Sequence, residues 1–470
     1  MTIQKEPFMA PQKRWWKEAG VETHLIHYCQ PLGRHSLIVL NADIVKQILF
    51  ATYGKKPQYK KNLQGLIPVL GKGLVTLEGE DWQRHRRIVH PSFQQQFVKA
   101  SLDDIVPSAV QKLISYWKQA KDREINLGPH LSNLTLDIIG KVAFSHDFFA
   151  LESVKQWAED SNDGNCDNLT PISDSLINAM NAMFRNTPRR IALTIFNLSM
   201  FDIPTKKTRK VMNEAVDDII FAAREKLKHS KIPNNSHAPL SLLQRLLDAE
   251  DADPTNKRKN LTPDELRDEV KTFILAGHET TSTWLYWAIF ALIKYPDVQE
   301  KVFRDISKQA DEGKNITIQD IEEMPYLDAF MKEVLRLYPP AGMIVRSNVD
   351  EVFLKGTRIP ARTRLVIPIH LLHRHPLYWS DPDTFKPERW LKDSHPCSHG
   401  NAYLPFSDGP RNCIGSYFAQ MEAKLILAPL LLEFSFLLAP SQANVQFTFT
   451  TFITMKAKPD VKICVRSRQH

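Results

Sequence analysis

The segment Phe406-Ser-Asp-Gly-Pro-Arg-Asn-Cys-Ile-Gly415 constrains this chain most, because it places one cysteine in a short loop directly before a long apolar helical run. A thiolate at Cys413 gains from the positive end of that helix and from backbone N–H groups pointing at sulfur, which lower its pKa. Gly409 and Gly415 let the backbone approach a flat ligand, and Arg411 can bind an anionic group. A lone cysteine is usually an inert core residue, but this spacing predicts a metal ligand.

A second motif lies in the middle of the helical run 269–294. Its polar residues Glu279, Thr280 and Thr281 follow Gly277 inside an otherwise apolar helix, where they are locally unfavourable. A threonine hydroxyl can bond the carbonyl one turn back and open the helix locally, which leaves a groove for a small molecule. The alternative is a polar helix face at the protein surface.

A third motif combines a helix with a later loop. The run Tyr326–Pro340 is amphipathic, ends at two prolines, and carries Glu333 and Arg336 three residues apart. Taken alone, this pair indicates only a modest helical salt bridge. The later segment Phe385-Lys-Pro-Glu-Arg389-Trp390 adds a second arginine.

The three motifs together resemble those of the cytochrome P450 family. The first matches the family's Phe-x-x-Gly-x-Arg-x-Cys-x-Gly loop at every fixed position, and the second matches its Ala-Gly-x-Glu-Thr-Thr motif. The third matches its Glu-x-x-Arg helix with a Pro-Glu-Arg loop. The resemblance implies haem b as the cofactor, with Cys413 as the axial ligand of the iron. It also implies that Thr280 hydrogen-bonds bound oxygen and that Glu279 relays protons to it without being a metal ligand.

The resemblance implies further contacts with the haem. Trp82 and Arg86 match a Trp-x-x-x-Arg helix whose side chains meet a haem propionate, with His85 as a weaker candidate beside them. Residues 136–144 are expected to form the helix beneath the haem. Because Ala276 stands where some relatives carry a glutamate esterified to haem, no covalent haem link is expected. The full set of expected cofactor contacts is Trp82, Arg86, Ala276, Arg346, Phe406, Arg411, Cys413 and Gly415.

The resemblance gives the third motif a structural role. Glu333, Arg336 and Arg389 are expected to form a buried network of arginines around a carboxylate. This network would fix the loop that leads to Cys413 and would take no part in catalysis.

The expected fold is mainly α with smaller β sheets (α+β), in the cytochrome P450 arrangement, with haem between a long oxygen-binding helix and the cysteine loop. Residues 1–470 are expected to form a single domain. In it, 1–75 and 341–400 contribute a β-rich lobe, and 80–340 and 401–435 contribute the α-rich body. Strands are predicted on both sides of Gln30–Arg34, where LIHY and SLIVL are β-rich runs.

Composition excludes several classes of protein. A hydrophobic fraction of 43% and a charged fraction of 24% are typical of globular chains, which excludes disordered and collagen-like proteins. Five widely spaced cysteines argue against a disulfide framework and favour a reducing compartment. The net charge of +8 indicates a basic surface, but no nucleic-acid-binding motif accompanies it, so nucleic acid is not an expected partner.

The sequence bears on membrane attachment in two places. The most apolar internal run, Trp284–Ile293, is too short to span a bilayer. Residues 189–204 combine an apolar stretch with flanking Arg and Lys, which favours either peripheral membrane contact or a buried helix end. Since eukaryotic family members usually begin with an apolar anchor, we expect a truncated, peripheral or soluble form. The expected location is the endoplasmic reticulum membrane, with cytoplasm or plastid as alternatives.

The resemblance implies a monooxygenase that inserts one atom of O₂ into an apolar, lipid-like substrate, since the motifs are closest to fatty-acid and carotenoid-ring hydroxylase groups. The sequence carries neither a dinucleotide fingerprint nor a flavin domain, so electrons are expected from a separate NADPH-dependent reductase or a ferredoxin system. Arg84, Arg87, Lys99 and Lys424 are candidates for docking an acidic partner. The predicted pocket residues are Leu66, Ile67, Val69, Leu70, Phe273, Ala276, Ala341, Met343, Ile344, Val345, Phe452 and Ile453.

Two other functions are considered. One is a haem-thiolate isomerase or dehydratase that rearranges a hydroperoxide without a reductase, and the other is a non-catalytic haem-binding protein. Enzymes of the first kind often lack the acid-alcohol pair. The intact pair of Glu279 and Thr280 therefore disfavours both alternatives.

Overall fold

The computed structural model describes residues 10–30, 34–51, 57–61, 63, 66–120, 123–159, 179, 182, 203–229, 241–250, 260–310, 314–392, 394, 396–451 and 454–468. Two sets of sequence predictions lie outside the described residues. One is the segment 189–202 of the predicted membrane-contact region, and the other is the pair Phe452 and Ile453 of the predicted pocket.

Helices make up most of the described chain. The helices are α1 (Ala10–Ala19), α2 (Ala42–Phe50), α3 (Ile67–Leu70), α4 (Gly79–Val89), α5 (Gln95–Gln119), α6 (Leu127–Phe144), α7 (Leu151–Glu159), α8 (Ile203–His229), α9 (Leu242–Glu250), α10 (Pro263–Lys294), α11 (Pro296–Ser307), α12 (Ile318–Glu322), α13 (Pro325–Leu337), α14 (Ile369–Leu372) and α15 (Ser416–Glu433). The strands are β1 (Leu25–Gln30), β2 (Arg34–Val39), β3 (Tyr59–Lys61), β4 (Ile125–Asn126), β5 (Ile344–Asn348), β6 (Val352–Leu354), β7 (Thr357–Ile359), β8 (Arg364–Ile367), β9 (Phe434–Leu438), β10 (Thr448–Thr451), β11 (Met455–Lys458) and β12 (Lys462–Ser467). The prediction of a mainly α fold with smaller sheets is confirmed.

The largest sheet joins distant parts of the chain. Its strand order is β1-β2-β8-β5-β3, with β1 antiparallel to β2 and β2 parallel to β8. β1 ends at Gln30 and β2 begins at Arg34, at the bounds of the predicted turn. A separate apolar core packs with this sheet and includes Val39, Ile48 and Leu365, all fully buried.

The long helix α10 begins at a capping box. The Thr262 side chain accepts a hydrogen bond from the backbone N–H of Glu265 at 3.2 Å, and the Glu265 carboxylate accepts one from the N–H of Thr262 at 2.9 Å. These reciprocal bonds satisfy two N–H groups that the first turn of a helix leaves without partners. α10 then runs through the main core, where Leu285, Trp287 and Ile289 are fully buried.

A glycine allows α10 to pack closely on α6. A Cβ atom added at Gly277 would lie 2.7 Å from Cγ1 of Ile139 on α6, closer than side-chain atoms approach. All of α10 is described, and it remains α-helical through residues 276–281. The glycine at this position serves the approach of the two helices.

The Glu333 carboxylate on α13 is the centre of a buried network. Arg336 donates to it twice, at 2.9 and 2.8 Å, and Arg389 donates through Nε at 3.1 Å. The indole N–H of Trp390 and the backbone N–H of Lys386 also donate to it, at 2.9 and 2.8 Å. Since Glu333 and Arg336 are fully buried, these bonds replace the water that both charges lose.

The same network reaches the segment that precedes the cysteine loop. Arg336 also donates to the backbone carbonyls of His373 and Thr384, each at 2.9 Å. The imidazole Nε2 of His373 in turn accepts a hydrogen bond from the backbone N–H of Leu404 at 2.8 Å. The structure thus brings together the three residues of the predicted network and links them to the start of the loop.

Replacing Glu333 by alanine is expected to destabilise the protein strongly. Two buried guanidinium groups would lose their shared counter-charge, at a cost of about 3–5 kcal/mol. Chemical denaturation followed by circular dichroism should therefore show a lower midpoint for Glu333→Ala. Glu351→Ala is the matched control, because Glu351 pairs with Arg358 on the surface, and it should leave the midpoint unchanged. Equal shifts for both variants would contradict this account.

Candidate active site

A cavity of about 370 Å³ lies between α4, α10 and the cysteine loop. α10 contributes Ala276 and Thr280 to its wall, and the loop contributes Phe406 and Cys413. Many of the sequence-predicted site residues therefore face one space. Those that line it are Trp82, Arg86, Ala276, Thr280, Phe406, Arg411, Cys413 and Gly415.

The cysteine loop is held by its own backbone and by α4. The N–H of Cys413 donates to the carbonyl of Phe406 at 2.9 Å. Gly409 has a φ of 71°, a left-handed conformation that favours glycine, and a Cβ there would lie 2.9 Å from the carbonyl oxygen of Leu49. Arg86 donates to the carbonyl and to the side-chain oxygen of Asn412, both at 3.0 Å. The residue before the cysteine is thus fixed directly by α4.

The surroundings of Cys413 act on its thiol in opposite directions. Burial by surrounding protein raises its pKa, whereas the N–H of Gly415 and the charges of Arg86 and Lys61 lower it. Burial outweighs the other effects, so the net pKa is raised. The expectation of a lowered pKa is therefore wrong for the protein alone, because it omitted desolvation. The sulfur borders the cavity and is accessible from it, which leaves it open to a metal ion.

Four cationic side chains converge beside the cavity. Arg86 and Arg411 come from the predicted motifs, Arg346 from β5 and Lys61 from β3. Arg411 stacks over the Trp82 ring, with 4.2 Å between its guanidinium carbon and the ring centroid. The carboxylate of Glu78 lies 3.7 Å from Nη2 of Arg411.

Among the described residues, the carboxylates near these four cations do not balance their positive charge. Burial and the charges of Arg411 and Arg346 hold the pKa of Lys61 well below its usual range. Burial lowers the pKa of Arg346 and of Arg411 to about 10. Within the described chain, the Nε atoms of Arg346 and Arg411 are buried without a hydrogen-bond partner. An anionic ligand with two carboxylates fits this donor set, as haem with its two propionates does.

Lys61 is a residue that the sequence analysis missed. It lines the cavity and its ammonium donates to the carbonyl of Val75 at 3.2 Å. β3 is only three residues long, and no motif surrounds Lys61, so nothing in its local sequence singles it out.

The side chains of Thr280 and Glu279 on α10 lie in different surroundings. The Thr280 hydroxyl donates to the carbonyl of Ala276 at 2.7 Å, as the sequence suggested, and Thr280 lines the cavity. Glu279 is not among the cavity-lining residues and instead contacts Thr454 and Lys456 on the C-terminal side of the chain. Burial raises the pKa of the Glu279 carboxyl, but Lys456, His278 and Thr454 outweigh burial and lower it.

The apolar wall of the cavity differs in part from the predicted pocket. Phe273, Ala276, Ala341 and Ile344 line it as predicted, together with Leu74, Val75, Phe93, Phe97, Val98 and Leu242. The predicted residues Leu66, Ile67, Val69, Leu70, Met343 and Val345 do not line it. Val69 and Leu70 belong to the main apolar core, and Ile67 is 44% exposed. The part of this segment that borders the cavity begins a turn later, at Leu74.

Three of the four predicted docking cations are already paired. Arg84 lies 2.5 Å from Glu265, and Lys99 lies 2.8 Å from Glu322. Lys424 is buried and lies 2.5 Å from Asp328, so its prediction as a docking residue is wrong. Its ammonium is withdrawn from solvent because Lys424 packs on the inner face of α15. Arg87 is exposed on α4.

His85 also has a different role from the one considered. Its side chain is fully buried, and its Nδ1 lies 2.5 Å from the buried carboxylate of Glu269 on α10. It does not line the cavity. His85 thus joins α4 to α10 rather than facing the cation cluster.

Among the described helices, none is both long enough and apolar enough to cross a bilayer.

Comparisons with known proteins give consistent results. The cytochrome P450 family profile matches residues 22–465. Cytochrome P450 4A10 of Rattus norvegicus is 31% identical over 415 residues, which cover 87% of this chain and 77% of the relative. Cytochrome P450 4Z1 of Homo sapiens is 33% identical over 380 residues, 80% of this chain and 72% of the relative. Protein LUTEIN DEFICIENT 5, chloroplastic, of Arabidopsis thaliana is 30% identical over 458 residues, 92% and 70% of the two chains.

A solved structure shares the fold. The haem domain of cytochrome P450DA superposes with a TM-score of 0.79 at 22% sequence identity, covering 98% of this chain and 94% of that one. The family profile and the relatives extend the likeness to the sequence itself over nearly the whole chain. This chain therefore belongs to the cytochrome P450 family, which binds haem b through a cysteine thiolate, and it is a monooxygenase.

Proposed function

We propose that this monooxygenase inserts one atom of O₂ into an apolar, lipid-like molecule, with Cys413 as the iron ligand and Thr280 and Glu279 as the proton-handling pair. The observation that carries the proposal is that Cys413, Thr280 and an excess of buried positive charge border one cavity. When bound, the haem supplies the chemistry of O₂ activation, and a thiolate ligand favours cleavage of the O–O bond.

The cation cluster binds and orients the cofactor in this proposal. Arg346, Arg411 and Lys61 would neutralise the two propionates, and Trp82 would flank them. Arg86 has a double role, since it also bonds Asn412, the residue before Cys413. Propionate binding and the position of the ligand loop are thereby linked through one guanidinium group.

Thr280 holds a proton at the edge of the cavity. Its hydroxyl donates to the carbonyl of Ala276, and rotation about χ1 would turn it toward a ligand in the cavity. Each insertion consumes protons as well as electrons, because the second oxygen atom leaves as water. Glu279, next in sequence, is the acid that would replace the proton given up by Thr280.

The substrate class follows from the wall of the cavity. Phe93, Phe97, Val98, Leu242 and Phe273 offer no hydrogen-bonding groups in their side chains. A substrate held there is bound by its apolar surface, which suits a lipid-like chain or ring. The sequence motifs of this chain are closest to those of fatty-acid and carotenoid-ring hydroxylases, which also favours a lipid-like substrate.

Electron supply and location form the rest of the proposal. A separate NADPH-dependent reductase or a ferredoxin system would provide electrons, and the exposed Arg87 on α4 is the cation most available to an acidic partner.

The proposed location is the endoplasmic reticulum or the plastid. The plastid is included because one of the relatives is named chloroplastic. Peripheral membrane contact through residues 189–204 is part of the first option.

Carbon monoxide binding tests the iron ligand. The reduced wild-type protein should give the Soret band typical of thiolate-ligated haem in a carbon monoxide difference spectrum, because sulfur donates electron density to the iron. Cys413→Ala should abolish that band, while Cys397→Ala, which alters a thiol that does not line the cavity, should keep it. Persistence of the band in Cys413→Ala would contradict the proposal. A second assay addresses the alternative function. If the protein converts a hydroperoxide without a reductase, and shows no reductase-driven oxidation of a substrate, the isomerase or dehydratase is favoured instead.

Removing one cation should weaken haem binding without destabilising the haem-free protein. Arg346→Met deletes a charge-assisted hydrogen bond to a propionate, worth about 1.5–3 kcal/mol, which corresponds to about 10- to 100-fold faster haem loss. It also relieves repulsion within the cluster, so the denaturation midpoint of the haem-free chain should not fall. Transfer of haem to excess apomyoglobin measures the loss rate. Arg362→Met, an exposed arginine near β8, is the control, and equal loss rates in both variants would count against this role.

A further inference from the structure

The β10–β11 hairpin is fastened to one face of α10 by a series of polar contacts. Lys456 Nζ lies 2.9 Å from Oε1 of Glu279, and the Thr454 hydroxyl donates to the same oxygen at 2.7 Å. The Thr283 hydroxyl donates to that of Thr454 at 3.0 Å, and the indole of Trp287 donates to the carbonyl of Met455 at 2.6 Å.

The spacing of these residues explains why the contacts form a row. Glu279, Thr283 and Trp287 are four residues apart, so they share one face of α10. Thr280 and Trp284 belong to a neighbouring face, and both line the cavity. The carboxylate of Glu279 is therefore directed to the hairpin while the adjacent hydroxyl is directed to the cavity.

The Glu279 carboxylate is largely shielded from water, whereas its partner Lys456 is partly exposed. The Glu279 side chain is 13% exposed, and Lys456 is 34% exposed. Thr283 and Thr454 are buried. The hydroxyl of Thr283 donates to Thr454, which leaves the hydroxyl of Thr454 oriented to donate to the carboxylate. A buried ionised carboxylate is stable only with such partners.

The other titratable group acting on Glu279 belongs to its own helix. His278 is buried, and its Nδ1 lies 2.8 Å from the carbonyl of Ile274. Burial lowers the pKa of His278, and His278 lowers the pKa of the Glu279 carboxyl less than Lys456 does. Lys456 from β11 is thus the main counter-charge of Glu279.

We infer that Lys456 and Thr454 are positioning residues that control proton supply by holding the Glu279 carboxylate on the hairpin side of α10. This inference rests on the proposed role of Glu279. When the contact with Lys456 opens, Glu279 takes one proton from solvent, which reaches the partly exposed Lys456 position. The carboxylic acid then gives a proton to the Thr280 oxygen as the Thr280 proton moves into the cavity, and the carboxylate returns to Lys456.

Charge removal at Lys456 tests the inference. Lys456→Met should let Glu279 be protonated at higher pH, because an opposite charge at this distance lowers a carboxyl pKa by about 1–3 units. We expect the alkaline limb of reductase-driven turnover to move upward by about 1 unit or more. The solvent deuterium isotope effect on kcat should fall, since proton delivery becomes less limiting. Lys456→Arg should restore both wild-type values.

Two controls separate proton supply from structure. Lys458→Met alters an exposed lysine on the same strand and should leave the pH profile and the isotope effect unchanged. Turnover driven by hydrogen peroxide, which brings its own protons and electrons, should be the same in Lys456→Met as in wild type. An unchanged pH profile of reductase-driven turnover in Lys456→Met would overturn the inference. A change of the same size in peroxide-driven turnover would also overturn it.

Glu279→Gln distinguishes failure of this inference from failure of the proposed function. If Glu279→Gln keeps full reductase-driven turnover, the proposed role of Glu279 is wrong, and the inference falls with it. If Glu279→Gln loses turnover while Lys456→Met keeps the wild-type profile, only the inference about Lys456 is wrong.

Discussion

The Glu333 carboxylate accepts hydrogen bonds from two arginines, an indole and a backbone amide, and it anchors a network that reaches the segment before the cysteine loop. Arg336 extends the network to the backbone of His373, whose ring fixes the N–H of Leu404 just before the loop. The loop then closes on itself through the bond from Cys413 N–H to the Phe406 carbonyl. These contacts connect the buried Glu333 carboxylate to the segment that leads to Cys413.

Two groups beside the cavity require an opposite charge from a ligand. The cluster of Lys61, Arg346 and Arg411 carries excess positive charge that a dianionic ligand would balance. The Cys413 thiol is desolvated and is expected to ionise only when a cation accepts the sulfur. Haem supplies both charges, because its carboxylates are negative and its iron is positive. Arg86 contacts the loop and borders the cavity, so it joins the two parts of the site.

Sequence reasoning predicted the parts of the site that rest on fixed local spacing. The cysteine loop, the α10 motif and the Glu333–Arg336 pair each lie within one short segment, so their geometry is local. Lys61 lay beyond prediction because a lone lysine in a short strand has no pattern, and the same holds for Lys456, which meets Glu279 only in the folded chain. The buried position of Lys424 and the raised pKa of Cys413 also depend on tertiary packing, which periodicity does not report.

Every role assigned to the cavity depends on the sulfur of Cys413 binding the haem iron. X-ray absorption at the iron edge of the ferric holoprotein reports this bond, because scattering from sulfur differs from that of nitrogen or oxygen. We expect one sulfur neighbour of iron in the wild-type protein and in Cys397→Ala. In Cys413→Ser that neighbour should be replaced by a lighter atom. A sulfur neighbour that persists in Cys413→Ser, or is missing from the wild-type protein, would mean that Cys413 is not the iron ligand.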